Sequence, residues 1–316
     1  MRAALVTELG QPPQLEDAPE PAADEDRVVL DVLAAPLNPI DIAVGSGRYY
    51  GGHPELPYIP GCEAVGRVAG RDGLVYAFSD GLGLQRDGAL AEKAVVGRDR
   101  LVPVPDGADP ALAAALGIAG LAGWLPLAWR APVREGDRVL VLGATGTAGL
   151  IAVQVARLLG AERVVAAGRD ENRLQRAVEA GADATVPLDG DDLAERFREA
   201  CGGDGPTLVF DPLWGPPLVA ALAAAARGAR FVQLGQSAGA EVSVPSGLIR
   251  GKQIDIRGHT NFAVPPEELA EEYRKLVEHA IAGEIALEIE RVPLDRVTEA
   301  WQRQAEGPGA KLVVVP

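Results

Sequence analysis

The densest set of positions able to do chemistry is Gly143, Ala144, Thr145, Gly146, Thr147, Ala148 and Gly149. Glycine lets a backbone turn tightly and approach another group closely. An apolar run, Arg138-Val-Leu-Val-Leu142, precedes these residues, and helical spacing over residues 147–159 follows. Strand, glycine turn and helix in that order make a cradle for a pyrophosphate. The first-turn N–H groups have no intrahelical partner, and the helix dipole favours an anion there. In the G-x-G-x-x-G register Ala144 stands at the first glycine, Gly146 at the second and Gly149 at the third, so the first position is altered.

The end of the next strand, residues 163–167, decides which dinucleotide such a turn prefers. An acidic residue there holds a ribose 2′-hydroxyl and repels a 2′-phosphate. This chain reads Ala167-Gly168-Arg169, with Arg173 one helical turn further on. A planar guanidinium suits a phosphate, so the pattern favours NADPH over NADH. Leu234 and Gly235, closing a strand at residues 229–234, are further candidate cofactor contacts.

These residues need a doubly wound sheet to hold them. From residue 137 onward, strand patterns at residues 138–142, 163–167, 184–188, 207–210, 229–234 and 253–257 alternate with helical ones, which predicts a parallel sheet covered on both faces. The first ~110 residues instead show short strand signals, at residues 27–33, 64–69 and 90–96, broken by Gly and Pro. They predict a small, barrel-like β domain. The tail, with a long helix at 266–282, a short one at 294–305 and a closing strand at 311–315, is expected to return to that first domain. The expected division is 1–110 completed by 259–316, and 111–258.

Composition narrows the partners. Thirty Lys+Arg against 45 Asp+Glu give a net charge of −15, which disfavours nucleic acid and anionic membranes. Two cysteines, Cys62 and Cys201, and three scattered histidines make neither a disulfide framework nor a Cys-rich zinc site. A reducing, cytoplasmic setting fits. Residues 111–129 carry no charge, but their Ala, Gly and Pro content marks buried helices rather than a membrane span.

Three further stretches carry a family resemblance: Asn38-Pro-Ile-Asp41, Pro60-Gly-Cys-Glu-Ala-Val-Gly66 and Gly88-Ala-Leu-Ala-Glu92. With the glycine turn, their order resembles the medium-chain dehydrogenase/reductase superfamily, in its quinone oxidoreductase and enoyl reductase branches, along the whole chain. The resemblance implies a GroES-like β-rich catalytic domain, a Rossmann domain and a homodimer. It also implies that zinc is absent. The positions of the zinc ligands in the alcohol dehydrogenase branch fall at Asn38, Cys62 and near Gly117-Ile118, and one thiol cannot hold zinc in a three-ligand site. Cys62 then reads as a buried, inert thiol.

Without a Lewis acid, hydrogen-bond donors and a proton source must stabilise a developing enolate. Tyr49 lies eleven positions after Asn38. The resemblance makes it the candidate proton donor, with Asn38 its polar neighbour near the nicotinamide. Ala43 replaces a second tyrosine common in quinone reductases. Asp41 is expected to cap the Asn38 turn, Glu63 to be a structural carboxylate and Trp124 to pack in the core. His259 is a weak candidate acid, and Asn261 and Phe262 are candidate walls of the nicotinamide site. The function that follows is NADPH-dependent hydride delivery to an enone, enoyl thioester or quinone. The alternatives are a non-catalytic NADPH-binding protein and a zinc-independent alcohol or carbonyl dehydrogenase.

Overall fold

The structure is a computed structural model that describes residues 1–78 and 80–316. In chain order the strands and helices of the first part are β1 (Arg2–Leu5), β2 (Gln14–Asp17), β3 (Arg27–Pro36), α1 (Pro39–Gly45), β4 (Glu63–Val68), β5 (Val75–Phe78), β6 (Lys93–Gly97), β7 (Leu101–Pro103) and α2 (Pro110–Ala115). The middle contributes α3 (Leu121–Leu125), β8 (Arg138–Leu142), α4 (Thr147–Leu158), β9 (Arg163–Gly168), α5 (Glu171–Glu179), β10 (Ala184–Pro187), α6 (Leu193–Cys201), β11 (Leu208–Asp211), α7 (Gly215–Ala224), β12 (Arg230–Gln233), α8 (Ser246–Lys252) and β13 (Asp255–Gly258). The tail adds α9 (Pro266–Ile281), β14 (Ile289–Pro293), α10 (Val297–Glu306) and β15 (Lys311–Val315).

Two compact units result. One comprises Met1–Ala119, Pro265–Ile281 and Leu287–Pro316; the other comprises Gly120–Val264 and Ala282–Ala286. Their edges differ from the expected division at residues 110 and 259. Helix α2 packs on β3, β4, β14 and β15, which keeps it with the first unit. Residues 259–264 stay with the second, where the His259 N–H donates to the Gln233 carbonyl at 2.8 Å.

The first unit is built on β3. Its buried Val28, Leu30, Val32 and Ala34 alternate with more exposed neighbours, the period of a strand with one face in the core. It pairs antiparallel with β4, β6 and β15 in a mixed sheet ordered β14-β15-β3-β4-β5-β7. The tail therefore enters the first sheet directly. The strand expected at residues 90–96 begins only at Lys93, because Leu90 makes isolated backbone bonds with Ala4 and Pro60 instead of a ladder.

The second unit holds a six-stranded parallel sheet ordered β10-β9-β8-β11-β12-β13. Strands β8 and β11 carry buried apolar runs, as expected for a sheet covered on both faces. The strand order reverses between β8 and β11, and in such sheets ligands bind at that reversal, beyond the strands' carboxyl ends. The helical stretch Pro110–Arg130 is long and apolar enough to cross a membrane by length and composition, but 72% of its apolar window is buried in the fold.

Candidate functional site

At the carboxyl end of β8, Gly143 adopts φ +67°, a left-handed conformation that favours glycine. The Ala144 N–H donates to the Ala167 carbonyl at 2.9 Å, tying the turn to the end of β9. A Cβ on Gly149 would lie 2.3 Å from the Gly143 carbonyl oxygen, so only glycine lets α4 pack on the turn. A Cβ on Gly146, by contrast, would meet only Gly143 O, at 3.6 Å, which leaves that side open. The first return bond of α4 runs from Leu150 N–H to Gly146 O. The amides of Thr147, Ala148 and Gly149 precede it and face out of the helix start.

Gly168 is fixed by packing as well as by charge: a Cβ there would sit 2.4 Å from Thr145 Cγ2. Arg169 is exposed and makes no hydrogen bond or ion pair among the described residues. Arg173 is placed differently. Its Nε lies 3.4 Å from Asp170 Oδ2, and its N–H donates to Asp170 Oδ1 at the start of α5. Leu234 and Gly235 follow β12; the Leu234 N–H donates to the Asp211 carbonyl, and Gly235 lies against Pro212 O. Asn261 is buried, with Oδ1 3.1 Å from His259 Nε2. Burial lowers the His259 pKa, which favours the neutral ring. The Phe262 N–H donates to Thr260 Oγ1 at 3.4 Å.

In the first unit, a buried polar cluster forms around the start of α1. Asn38 is the N-cap, and its N–H donates to Asp41 Oδ2 at 2.7 Å. Asp41 Oδ1 accepts the Cys62 N–H at 3.0 Å. Asn38 Nδ2 donates to Glu63 Oε1 at 2.7 Å, and Asn38 Oδ1 accepts from Lys311 Nζ at 2.6 Å. Glu63 Oε2 accepts both the Tyr76 hydroxyl at 2.8 Å and the Ile118 N–H at 2.6 Å. Gly117, at a break in the helical stretch, makes this approach possible, since a Cβ there would stand 2.0 Å from Glu63 Oε2. Burial drives the titrations: Glu63 is pushed up to about 7 and Lys311 down to about 8, each held back by the other's charge. Asp41 is raised by burial, and the Cys62 thiol is raised well above its ordinary value by burial and by Asp41.

Tyr49 follows α1. Its N–H donates to Ala43 O, the carbonyl that also accepts Arg48 N–H. Its ring lies 4.6 Å from that of Tyr50, at a 44° tilt, and Tyr50 is 92% exposed. Burial and the neighbouring Tyr50 hydroxyl push the Tyr49 phenol up to about 12. Asn38 is 1% exposed. The side-chain hydrogen bonds of Asn38 run to Glu63, Lys311 and the Pro36 carbonyl. Trp124 is 2% exposed and belongs to the core.

Against this geometry, comparison with known proteins is specific. The mouse quinone oxidoreductase-like protein 2 is 31% identical over 274 residues, 83% of this chain and 78% of that one. The chain belongs to the quinone oxidoreductase branch of the medium-chain dehydrogenase/reductase superfamily. It is an oxidoreductase. Human quinone oxidoreductase is 27% identical over 98% of this chain and 95% of its own. The quinone oxidoreductase of Thermus thermophilus, solved alone and with NADPH, superposes with TM-score 0.83 at 30% identity over all of both chains. A family model described as zinc-binding dehydrogenase matches residues 148–280. The fold of these relatives, a GroES-like domain and a Rossmann domain, is the fold of this chain.

Two side chains of the buried cluster, Lys311 and Tyr76, escaped the sequence, and so did the role of Ile118. Lys311 carried one available signal, a lone charge opening an otherwise apolar strand, Lys311-Leu-Val-Val-Val315. Tyr76 gave none beyond strand propensity, and the Ile118 contribution is a backbone N–H.

Proposed function

We propose that this oxidoreductase is a zinc-free, NADPH-dependent reductase of activated carbon–carbon double bonds in an enone, enoyl thioester or quinone. The observation that carries the reading is Arg169, an exposed guanidinium without a partner among the described residues, next to Gly168 and the glycine turn. That arrangement fits a 2′-phosphate, and the NADPH complex of the Thermus relative supports it. Bound NADPH supplies the hydride. The amides at Thr147, Ala148 and Gly149 hold the pyrophosphate, with Ala144 and Thr145 shaping the turn. Arg169 faces the 2′-phosphate, and Arg173, held by Asp170, adds positive charge. Leu234, Gly235, Asn261 and Phe262 complete the cofactor contacts.

Hydride addition at the β-carbon leaves an enolate, or a phenolate when the acceptor is a quinone. Tyr49 supplies the proton. With its phenol pushed up to about 12, Tyr49 keeps its proton across neutral pH and donates to the basic oxygen or carbon as charge develops there.

The residues present do not fit a zinc ion. Asn38 offers an amide already bonded to Glu63 and Lys311, Cys62 a buried thiol with a raised pKa, and Gly117 and Ile118 no donor side chain. No group of three acidic, His or Cys side chains suited to a metal occurs among the described residues. We further propose a homodimer in a reducing cytoplasm, a reading supported by two free, buried cysteines and by β13 at the sheet edge.

The test is loss of the reduced-nicotinamide absorbance with a panel of enones, enoyl thioesters and quinones, NADPH against NADH. Turnover with at least one such acceptor and preference for NADPH is expected. Tight NADPH binding with no turnover of any acceptor identifies a non-catalytic binding protein instead.

A further inference from the structure

Lys311 is 4% exposed, and among the described residues its ammonium meets only neutral oxygens directly: Leu37 O at 2.7 Å and Asn38 Oδ1 at 2.6 Å. Two buried carboxylates lie one residue further out, Glu63 through Asn38 Nδ2 and Asp41 through the Asn38 N–H. A buried cation so placed costs solvation, and what it gains is order at one point: the N-cap of α1. Helix α1 is clamped at its other end, where Gly45 lies against the Trp301 ring, 2.6 Å from where a Cβ would stand. The Ala43 carbonyl in its last turn accepts the N–H groups of Arg48 and Tyr49. A single short helix therefore joins the Lys311 cluster to the Tyr49 backbone.

We propose that Lys311 is a positioning residue for Tyr49: its charged form fixes Asn38 and the start of α1, and α1 sets the Tyr49 loop. The proposal rests on the reductase reading, in which Tyr49 is the proton donor.

The titratable groups around Lys311 are Glu63 from β4 and Asp41 from α1. Tyr76 from β5 and Tyr273 from α9 stand behind Glu63, and Cys62 and Tyr58 behind Asp41. Burial brings Lys311 down to about 8, whereas Tyr49 stays protonated to about 12. As pH rises through 8, the lysine loses its charge, Glu63 and Asp41 lose their counter-cation, and the start of α1 loosens. Turnover falls there, well below the range in which Tyr49 itself titrates.

Two variants and two readouts test this. Lys311→Met removes the cation. The double exchange Asn38→Asp/Glu63→Gln swaps amide and carboxylate between the two positions. It keeps the bonds between positions 38 and 63 and to Tyr76 and Ile118, because the amide now at position 63 can donate to the carboxylate now at position 38 and still accept from Tyr76 and Ile118; the one bond it gives up is the long 3.4 Å contact from Asn38 Nδ2 to Pro36 O. It also places a carboxylate directly on the ammonium. The first readout is the pH profile of kcat. Wild type should lose tenfold or more between about pH 7.5 and 9.5, Lys311→Met should be low and flat, and the exchange should move the alkaline limb upward by about one unit or more. The KM for NADPH should stay constant in all three. The second readout needs no activity: amide hydrogen exchange of residues 39–52 should speed up at least tenfold in Lys311→Met, with residues 138–168 unchanged. An alkaline limb identical in all three proteins, or unchanged exchange at residues 39–52, overturns the proposal. If wild type turns over no acceptor at any pH, the reductase reading fails, and exchange alone decides whether Lys311 orders the Tyr49 loop.

Discussion

Arg169→Ala is the sharpest perturbation of the cofactor assignment. The side chain is exposed and unpartnered among the described residues, so its removal breaks no contact there and the fold should be untouched. A charge-assisted hydrogen bond contributes about 1.5–3 kcal/mol, and about 1.4 kcal/mol is tenfold, so loss of the phosphate contact should raise the NADPH KM roughly 10- to 150-fold. The guanidinium lies in solvent, where charges beyond ~8 Å are screened at physiological salt, which favours the lower end of that range. NADH has no 2′-phosphate and should be nearly unaffected. Initial rates with both cofactors, at low and high salt, measure the difference, and the gap should narrow as salt rises. Equal losses for NADPH and NADH would refute the reasoning and leave Arg169 a solvated helix-start residue. The structure also says how to invert the preference. Gly168→Asp alone drives a Cβ to 2.4 Å from Thr145 Cγ2, so it should damage the turn, whereas Gly168→Asp with Thr145→Ala should favour NADH.

Three other outcomes follow. Tyr49→Phe should lower kcat by about 10²–10⁴ while the NADPH Kd, read by fluorescence, stays put; full activity in this variant sinks Tyr49 as the acid. Exhaustive treatment with a chelator should leave turnover and thermal midpoint unchanged, and metal analysis of the active protein should find no stoichiometric zinc. Glu63 titrates near 7 in the fold against an ordinary 4.5, so the folded state holds a proton that the unfolded chain releases between those values. Its contribution to stability is therefore full below about pH 4.5 and lost as pH rises to 7, a change on the order of 3 kcal/mol that Glu63→Gln should flatten in denaturant midpoints across that range.

What the sequence shows of this fold is its local chemistry. The β8–turn–α4 unit is legible because a strand of one apolar run, a glycine at φ +67° and a helix all lie within 21 consecutive residues, Arg138 to Leu158. The parallel sheet is legible because its strands, buried on both faces, read as apolar runs. Helix α8 is not legible: its seven residues include Gly247 and Gly251, which oppose helix formation, and no apolar period compensates. Arg173 is marked by its position one turn after Arg169, and the structure adds what the sequence does not display, an ion pair with Asp170 three residues away. Gly168 looked like a missing carboxylate, and the structure adds a steric reason the sequence does not display.

The first unit is less legible, because its buried cluster is assembled from distant parts. Lys311 and Asn38 are 273 residues apart, and the Ile118 donor is a main-chain group with no residue signature. Read singly, Asn38, Glu63 and Gly117 look like losses: an amide, a carboxylate without a metal and a glycine without a donor. Together they form one arrangement. The Glu63 oxygens accept from Asn38 and from the Ile118 N–H, two of the places where the zinc-dependent branch has ligands, and Gly117 is the residue that lets the carboxylate reach the second. A buried carboxylate must find donors, a counter-cation or a proton. Glu63 has three hydrogen bonds and the field of Lys311, and it still titrates near 7. The same Asn38 that bonds Glu63 is the N-cap of α1, the helix that precedes Tyr49.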